Sequence, residues 1–335
     1  MLLQTFTLCT AALQAAASLI ASPSKEANNE YFQCFKLNNS TFRIVEADKY
    51  DQTPFIYAKV YDSTIVVIDT GCGGKTNDIR DSLKTFLETA PVAEYNHSPI
   101  NPEKKPYTII STHCHFDHIG GMAPFAELPS TRIWASAYNR CFLSPRLLPR
   151  TSLSVDVGMT TPAYTVTNWA KDGQRVTDRD GQDLGLTIYH TPGHTPDGLT
   201  IWDSEESYLF VGDTLYEEAP IYFLLGSSVF EYSDTLAKLA TLVEHWNECI
   251  ASSGKRVQLA AGHLTVGVDA AALIAKMNAF LQQVMDCKIP SRNTSTFGKD
   301  TKTYEIASSH LSWEGSACMF HDVLETNCIS GNSTW

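Results

Sequence analysis

Between Ser111 and Gly121 the chain reads Thr112-His113-Cys114-His115-Phe116-Asp117-His118-Ile119-Gly120, directly after the apolar run from Tyr107 to Ile110. Three imidazoles and a carboxylate packed this tightly form a ligand density that ordinary loop histidines rarely reach by chance. Catalytic zinc takes just such nitrogen and oxygen donors and keeps one position open. On extended backbone His113 and His115 point to the same side and can grip one ion together, while Asp117 and His118 lie past a turn and can reach a second. A strand that delivers this cluster to its C-terminal end demands a sheet with a polar site at its rim.

The rest of the chain repeats that arrangement. Apolar strand patterns are expected over 42–45, 55–69, 107–111, 133–135, 184–189, 199–202, 207–211 and 257–261. Several of them end on polar turns: Asp69-Thr70-Gly71, then Thr191-Pro192-Gly193-His194-Thr195, then Gly212-Asp213-Thr214, and last Gly262-His263. Helical spacing is expected over 78–89, over 234–249 behind a Ser233 cap, and over 270–285. Residues of about 141–180, with Pro145, Pro149 and Pro162 and little periodicity, read as an insertion over the site. Two similar halves are suggested, each a run of strands followed by helix.

His113-x-His115-x-Asp117-His118 after a strand, Thr191-Pro192-Gly193-His194-Thr195, Gly212-Asp213-Thr214 and Gly262-His263, in that order, resemble the metallo-β-lactamase superfamily. The resemblance implies an α/β (α+β) fold, a four-layer αββα sandwich with the metals at one rim. It implies one Zn(2+) held by His113, His115 and His194, a second by Asp117, His118 and His263, and Asp213 bridging the pair. The chemistry it implies is hydrolysis: a metal-bridging hydroxide opens a lactone, lactam or related small ester without a serine nucleophile, and Asp117 orients that hydroxide and carries its proton. Tyr216, three residues after Asp213, resembles the tyrosine of acyl-homoserine lactonases in the superfamily and implies a hydrogen bond to substrate; a packing tyrosine is the alternative. Leu264 stands where those lactonases often carry an Asp. The N-terminal extension, the segment after Asp213 and the C-terminal tail are similar to fungal hydrolases of the superfamily that act on lactams or lactones.

A glyoxalase-II-like or polyketide-type thioesterase is the competing enzyme, since the same metal pair can cleave a thioester; it is expected to need a basic groove, and no Lys/Arg run is visible. A non-catalytic metal-binding protein is the further alternative. A roof of Trp169, Tyr216, Tyr222 and Phe223 would suit a small apolar substrate. Asp69 is expected either to orient ligands or simply to form a turn, and His190 to be structural or to support a ligand. His97, His245, His310 and His321 stand outside every motif.

The 335 residues, 43% hydrophobic and 19% charged, suit one globular catalytic domain. A net charge of -12 sets a repulsive field against nucleic acid, so a small-molecule substrate is the expected partner. Residues 1–22 lack charge, are rich in Leu and Ala, and read as a signal peptide without its basic start. Removal would leave a single domain over 23–335 with a C-terminal tail, secreted or vacuolar, with no membrane span in its mature form. Glycosylation acceptors begin at Asn38, Asn39, Asn96, Asn293 and Asn332. Of nine cysteines, Cys34, Cys287, Cys318 and Cys328 are the expected bridge formers, whereas Cys72 and Cys114 lie within motifs.

Overall fold

The structure, a computed structural model, describes residues 31–74 and 79–316. The leader, Cys318, His321, Cys328 and Asn332 lie outside the described residues. Contacts divide the chain into two compact units: residues up to His190 together with Leu199–Glu206, and Thr191–Gly198 together with the chain from Ser207 onward.

In the first unit seven strands pair in chain order: β1 (Phe32–Lys36), β2 (Thr41–Glu46), β3 (Phe55–Val60), β4 (Ile65–Ile68), β5 (Tyr107–Ile110), β6 (Arg132–Ser136) and β7 (Asn168–Ala170). Pairing is antiparallel from β1 to β4 and parallel from β4 to β7. Every residue of β4 and β5 is buried, as expected of parallel strands covered on both faces. The strand expected over 55–69 is in fact the hairpin of β3 and β4. Tyr61 N–H donates to the Thr64 carbonyl at 3.0 Å, and polar Asp62 and Ser63 turn the chain between two apolar runs.

Helix α1 (Leu83–Thr89) begins at Ser82, whose hydroxyl accepts from Thr85 N–H at 3.2 Å. It buries Leu83, Phe86 and Leu87, and Phe86 meets Phe32 of β1 with ring centroids 5.2 Å apart. Single-turn helices follow as α2 (Phe116–Ile119), α3 (Ala123–Ala126) and α4 (Leu148–Thr151). Strands β8 (Gln174–Thr177), β9 (Asp183–His190) and β10 (Leu199–Asp203) form an antiparallel set. Buried Lys59 of β3 donates to Asp203 of β10 at 2.6 Å. Burial pushes the Asp203 carboxyl up and the Lys59 charge opposes that shift.

In the second unit β11 (Tyr208–Phe210), β12 (Pro220–Phe223), β13 (Gln258–Ala260) and β14 (Val266–Asp269) are joined by β15 (Ser291–Thr296), β16 (Lys299–Ile306) and β17 (Leu311–Ser316). Strand β13 pairs parallel with β11 and antiparallel with β14. The other four form a sheet in the order β12-β17-β16-β15. Three paired strands, β15 to β17, therefore lie in the C-terminal part of the chain, where only a tail is expected. Helix α5 (Val229–Ile250) starts at Ser228, whose hydroxyl accepts from Glu231 N–H at 3.3 Å, and not at Ser233. Val229, Tyr232, Leu236, Leu239, Val243 and Trp246 recur on one face of it and are buried. Helix α6 (Ala270–Met285) matches its expected bounds and is capped by Asp269, which accepts from Ala272 N–H at 2.9 Å. Trp313 of β17 is fully buried, with ring centroids 5.2 Å from Phe223, 5.4 Å from Tyr232 and 5.1 Å from Phe280. One indole thus joins β12, β17, α5 and α6.

Cys34, Cys72, Cys114, Cys141 and Cys249 are free thiols, while Cys287 is disulfide-bonded. The bridge expected at Cys34 is absent because that side chain faces the apolar core, where burial pushes its thiol up to about 12. Among the described residues no helix is long and apolar enough to cross a membrane.

Candidate metal centre

Two parallel strands, β4 and β5, deliver the first group of ligands. Ile68 and Ile110 are partners in register, so Asp69 and the segment from Ser111 onward leave the sheet side by side. Asp69 Oδ1 accepts from Thr112 N–H at 2.7 Å, and its Oδ2 accepts from Thr112 Oγ1 at 2.8 Å and from His118 Nδ1 at 2.9 Å. Its backbone lies in the left-handed region at φ 62°, so Asp69 both forms the turn and orients a ligand. With Nδ1–H bound to a carboxylate, His118 keeps its Nε2 lone pair for a metal. That nitrogen lies 3.6 Å from Asp117 Oδ2. His113 Nε2 and His115 Nδ1 are 3.1 Å apart, and the His113 and His118 ring centroids 4.1 Å. Three like imidazoles in such contact all gain from a cation among them.

The second unit presents His194, Asp213 and His263. Gly193, at φ 138°, has no room for a side chain: a Cβ there would come within 2.5 Å of the Tyr232 Cα on α5. This close approach fixes the loop, and the next residue, His194, donates its Nδ1–H to the Tyr222 carbonyl at 2.7 Å. Again Nε2 is left as the metal-facing atom. Beyond the parallel pair of β11 and β13, Gly262 N–H donates to the Gly212 carbonyl at 2.8 Å, which sets the residues that follow, Asp213 and His263, beside each other. Asp213 Oδ2 lies 3.5 Å from His263 Nε2 and 3.9 Å from His194 Nε2.

All seven ligands are buried, and they form two groups in which the ligand atoms lie within 4.8 Å of one another: His113, His115 and His194, and Asp117, His118, Asp213 and His263. These donor sets fit two divalent ions, with Asp213 close to a histidine of each group.

Other expected site residues are placed differently. Tyr216 is buried, its ring 5.8 Å from that of His263, and its hydroxyl donates to the Pro220 carbonyl at 2.9 Å. Donation to a substrate would require that bond to break. Phe223 is packed in the Trp313 cluster and cannot roof a pocket. Trp169 lies under the Arg140 guanidinium, 4.8 Å from its ring centroid. His190 shares a hydrogen with the Ala170 carbonyl at 2.8 Å, which gives it a structural role. His310 pairs with Glu218 and His245 with Cys249, both on exposed surfaces.

One buried carboxyl escapes sequence reasoning altogether. Glu46, fully buried at the end of β2, accepts from Cys72 N–H at 2.5 Å and from Gly74 N–H. It thereby holds the turn that follows Asp69, and a Cβ on Gly71 would run into it. Burial, and secondly the Asp48 charge, push its carboxyl up to about 8.

A model of the metallo-beta-lactamase superfamily matches residues 55–246. A protein of Aspergillus versicolor named "Putative transcription factor avaE" is 33% identical over 295 residues, which cover 84% of this chain and 83% of that protein. An acyl-coenzyme A thioesterase of Homo sapiens is 28% identical over 193 residues, 53% of this chain and 64% of the thioesterase. Among solved structures, a metallo-beta-lactamase from Erythrobacter litoralis superposes with a TM-score of 0.51 at 16% identity, over 76% of this chain and 98% of that one. That last likeness is one of fold, and it agrees with the mixed α/β class expected from the sequence.

Proposed function

The chain belongs to the metallo-beta-lactamase superfamily, and from that premise we propose that it is a zinc-dependent hydrolase of activated acyl compounds: a lactone, lactam or related small ester, or a thioester. The observation that carries this is the gathering of seven His and Asp side chains into two ligand groups. Five imidazoles with two carboxylates suit zinc better than the harder oxygen-seeking ions. Bound there, two divalent cations would supply Lewis acidity toward an acyl carbonyl and bring the pKa of water toward neutrality.

The chain's own groups do the rest. Asp69, Thr112 and the Tyr222 carbonyl hold imidazoles in fixed tautomers, so the donor set is preorganised. One oxygen of Asp117 can join the donors while the other takes a proton from the attacking water and returns it to the leaving group. Asp213 lies between His194 and His263, within 3.9 Å and 3.5 Å of their Nε2 atoms.

The thioester reading is favoured by one specific observation, the similarity to a human acyl-coenzyme A thioesterase. The name of the fungal relative points instead to transcription, which a net charge of -12 and a buried ligand set argue against for this chain. Secretion remains a proposal, tested by whether the mature N-terminus isolated from the producing cell begins near Pro23. For the activity, the chain is to be assayed against matched lactones, lactams, esters and thioesters, zinc-loaded and after chelation. Turnover that disappears on chelation and returns with zinc is expected; a zinc-replete protein inert toward all four classes would refute the hydrolase.

A further inference from the structure

In a chain of net charge -12, the stretch from Leu128 to Val155 holds four arginines and no carboxylate. Arg132 is structural, since its guanidinium donates to the Thr177 carbonyl at 2.9 Å and to that of Asp178. Arg140, Arg146 and Arg150 are exposed, and among the described residues none of them has an ion-pair partner. Arg140 is held flat over Trp169. Arg146 and Arg150 lie four apart on a continuous run of turns: Leu148 N–H donates to the Ser144 carbonyl, Thr151 N–H to that of Leu147 and Ser152 N–H to that of Leu148. They share one face, where like charges repel unless an anion comes between them. Thr151 Oγ1 donates to the Phe142 carbonyl at 2.8 Å and closes the segment into a loop.

This cationic loop is fastened to the metal-ligand segment. Phe116 N–H donates to the Ser152 carbonyl at 2.9 Å, and Cys114 Sγ to the Thr151 carbonyl at 3.6 Å. Residues 114 and 116 flank the candidate ligand His115, so these two bonds tie the arginine loop to the ligand segment. Guanidinium groups offer paired donors that match phosphate oxygens. Within an otherwise anionic protein, a local cationic surface selects an anion that carries several charges.

We propose that Arg140, Arg146 and Arg150 recognise phosphate groups on the leaving-group side of the substrate, which makes that substrate an acyl thioester of a phosphorylated thiol. The inference rests on the hydrolase reading above and narrows it to its thioester member. The reaction is balanced by water alone: its oxygen bonds to the acyl carbon, the carbon–sulfur bond breaks, and sulfur leaves as the thiol after taking a proton.

The test uses zinc-loaded full chain and three butyryl thioesters that differ only in the thiol: coenzyme A, phosphopantetheine, and N-acetylcysteamine, which has no phosphate. In the wild type, KM should be lowest for coenzyme A and should rise with salt only for the two phosphorylated thiols. The variant Arg140→Gln/Arg146→Gln/Arg150→Gln should raise KM for butyryl-coenzyme A about tenfold or more, with kcat and the N-acetylcysteamine KM unchanged. The phosphopantetheine thioester should fall between the other two, its KM above that of coenzyme A and below that of N-acetylcysteamine. Calorimetric binding of coenzyme A itself, strong in the wild type and lost in the variant, supplies a readout independent of turnover. Equal effects on charged and uncharged thioesters, no effect of salt or of the variant, or turnover of lactones with none of thioesters would overturn the proposal and leave the hydrolase standing. Arginine-dependent binding of coenzyme A by a chain that hydrolyses nothing would overturn the hydrolase reading, and the substrate assignment with it, and leave only an anion site.

Discussion

Asp69 serves two neighbours with one carboxylate: it fixes the Thr112 backbone and hydroxyl at the entrance to the ligand segment and fixes the ring of His118. Its replacement by Ala should lower metal affinity about 10- to 100-fold while leaving the seven ligands in place, measured by competition with a coloured chelator. The Tyr216 hydroxyl is engaged with the Pro220 carbonyl. Tyr216→Phe should cost about 0.5–1.5 kcal/mol of stability through the lost bond to Pro220, with kcat changed by less than about threefold. A large fall in kcat at unchanged stability would restore the substrate-donor role implied by its place after Asp213. Glu46 gives the molecule a pH dependence of known sign. Its folded pKa is raised from the ordinary 4.5 to about 8, so the neutral acid is the form the fold favours. Its contribution is complete below about pH 4.5 and is lost as pH rises through 8. Glu46→Gln, neutral throughout, should flatten the fall in melting temperature between those limits relative to the wild type. The seven clustered side chains were legible because each has distinctive chemistry and lies at or just beyond a strand end. The Tyr222 carbonyl that orients His194 was not, because a backbone group has no letter, and Glu46 looked like any solvated acid in a strand.

At the scale of elements, the loop carrying His194 depends on the packing of Gly193 against α5. Gly193→Ala should destabilise by about 1–3 kcal/mol and release metal at lower chelator concentrations than the wild type, since the displaced loop carries the ligand with it. Patterns of apolar residues disclosed β5, β6, β10 and α6 almost to the residue because one face or both of each is buried. They merged β3 with β4 because the intervening Tyr61–Thr64 turn is brief and bounded by apolar runs on both sides. They started α5 five residues late although Ser228-x-x-Glu231 is a cap signal, because Ser233 falls just ahead of the most evident helical stretch. Strands β15 and β16 gave little signal at all: their Ser, Thr, Asn and Lys residues lie mostly exposed or half-buried, and no apolar alternation marks them.

For the molecule as a whole, an ion held by these groups would be a part of the fold as well as of the chemistry. The seven side chains are buried and polar, and gathering them away from water is costly without a cation. At free zinc about 1,000 times above Kd, binding contributes about 4 kcal/mol to stability, so chelation should lower the melting temperature markedly and zinc should restore it. A melting curve indifferent to chelator would mean that no ion is held by these groups. The strand β17 extends this dependence to a part of the sequence distant from every candidate ligand. It pairs with β12, where Tyr222 lies opposite Glu314, and Tyr222 is the residue whose carbonyl sets the ring of His194. During translation the histidine emerges long before the strand that steadies its support. A polypeptide that lacks β17 would therefore display every candidate ligand and yet hold a metal poorly.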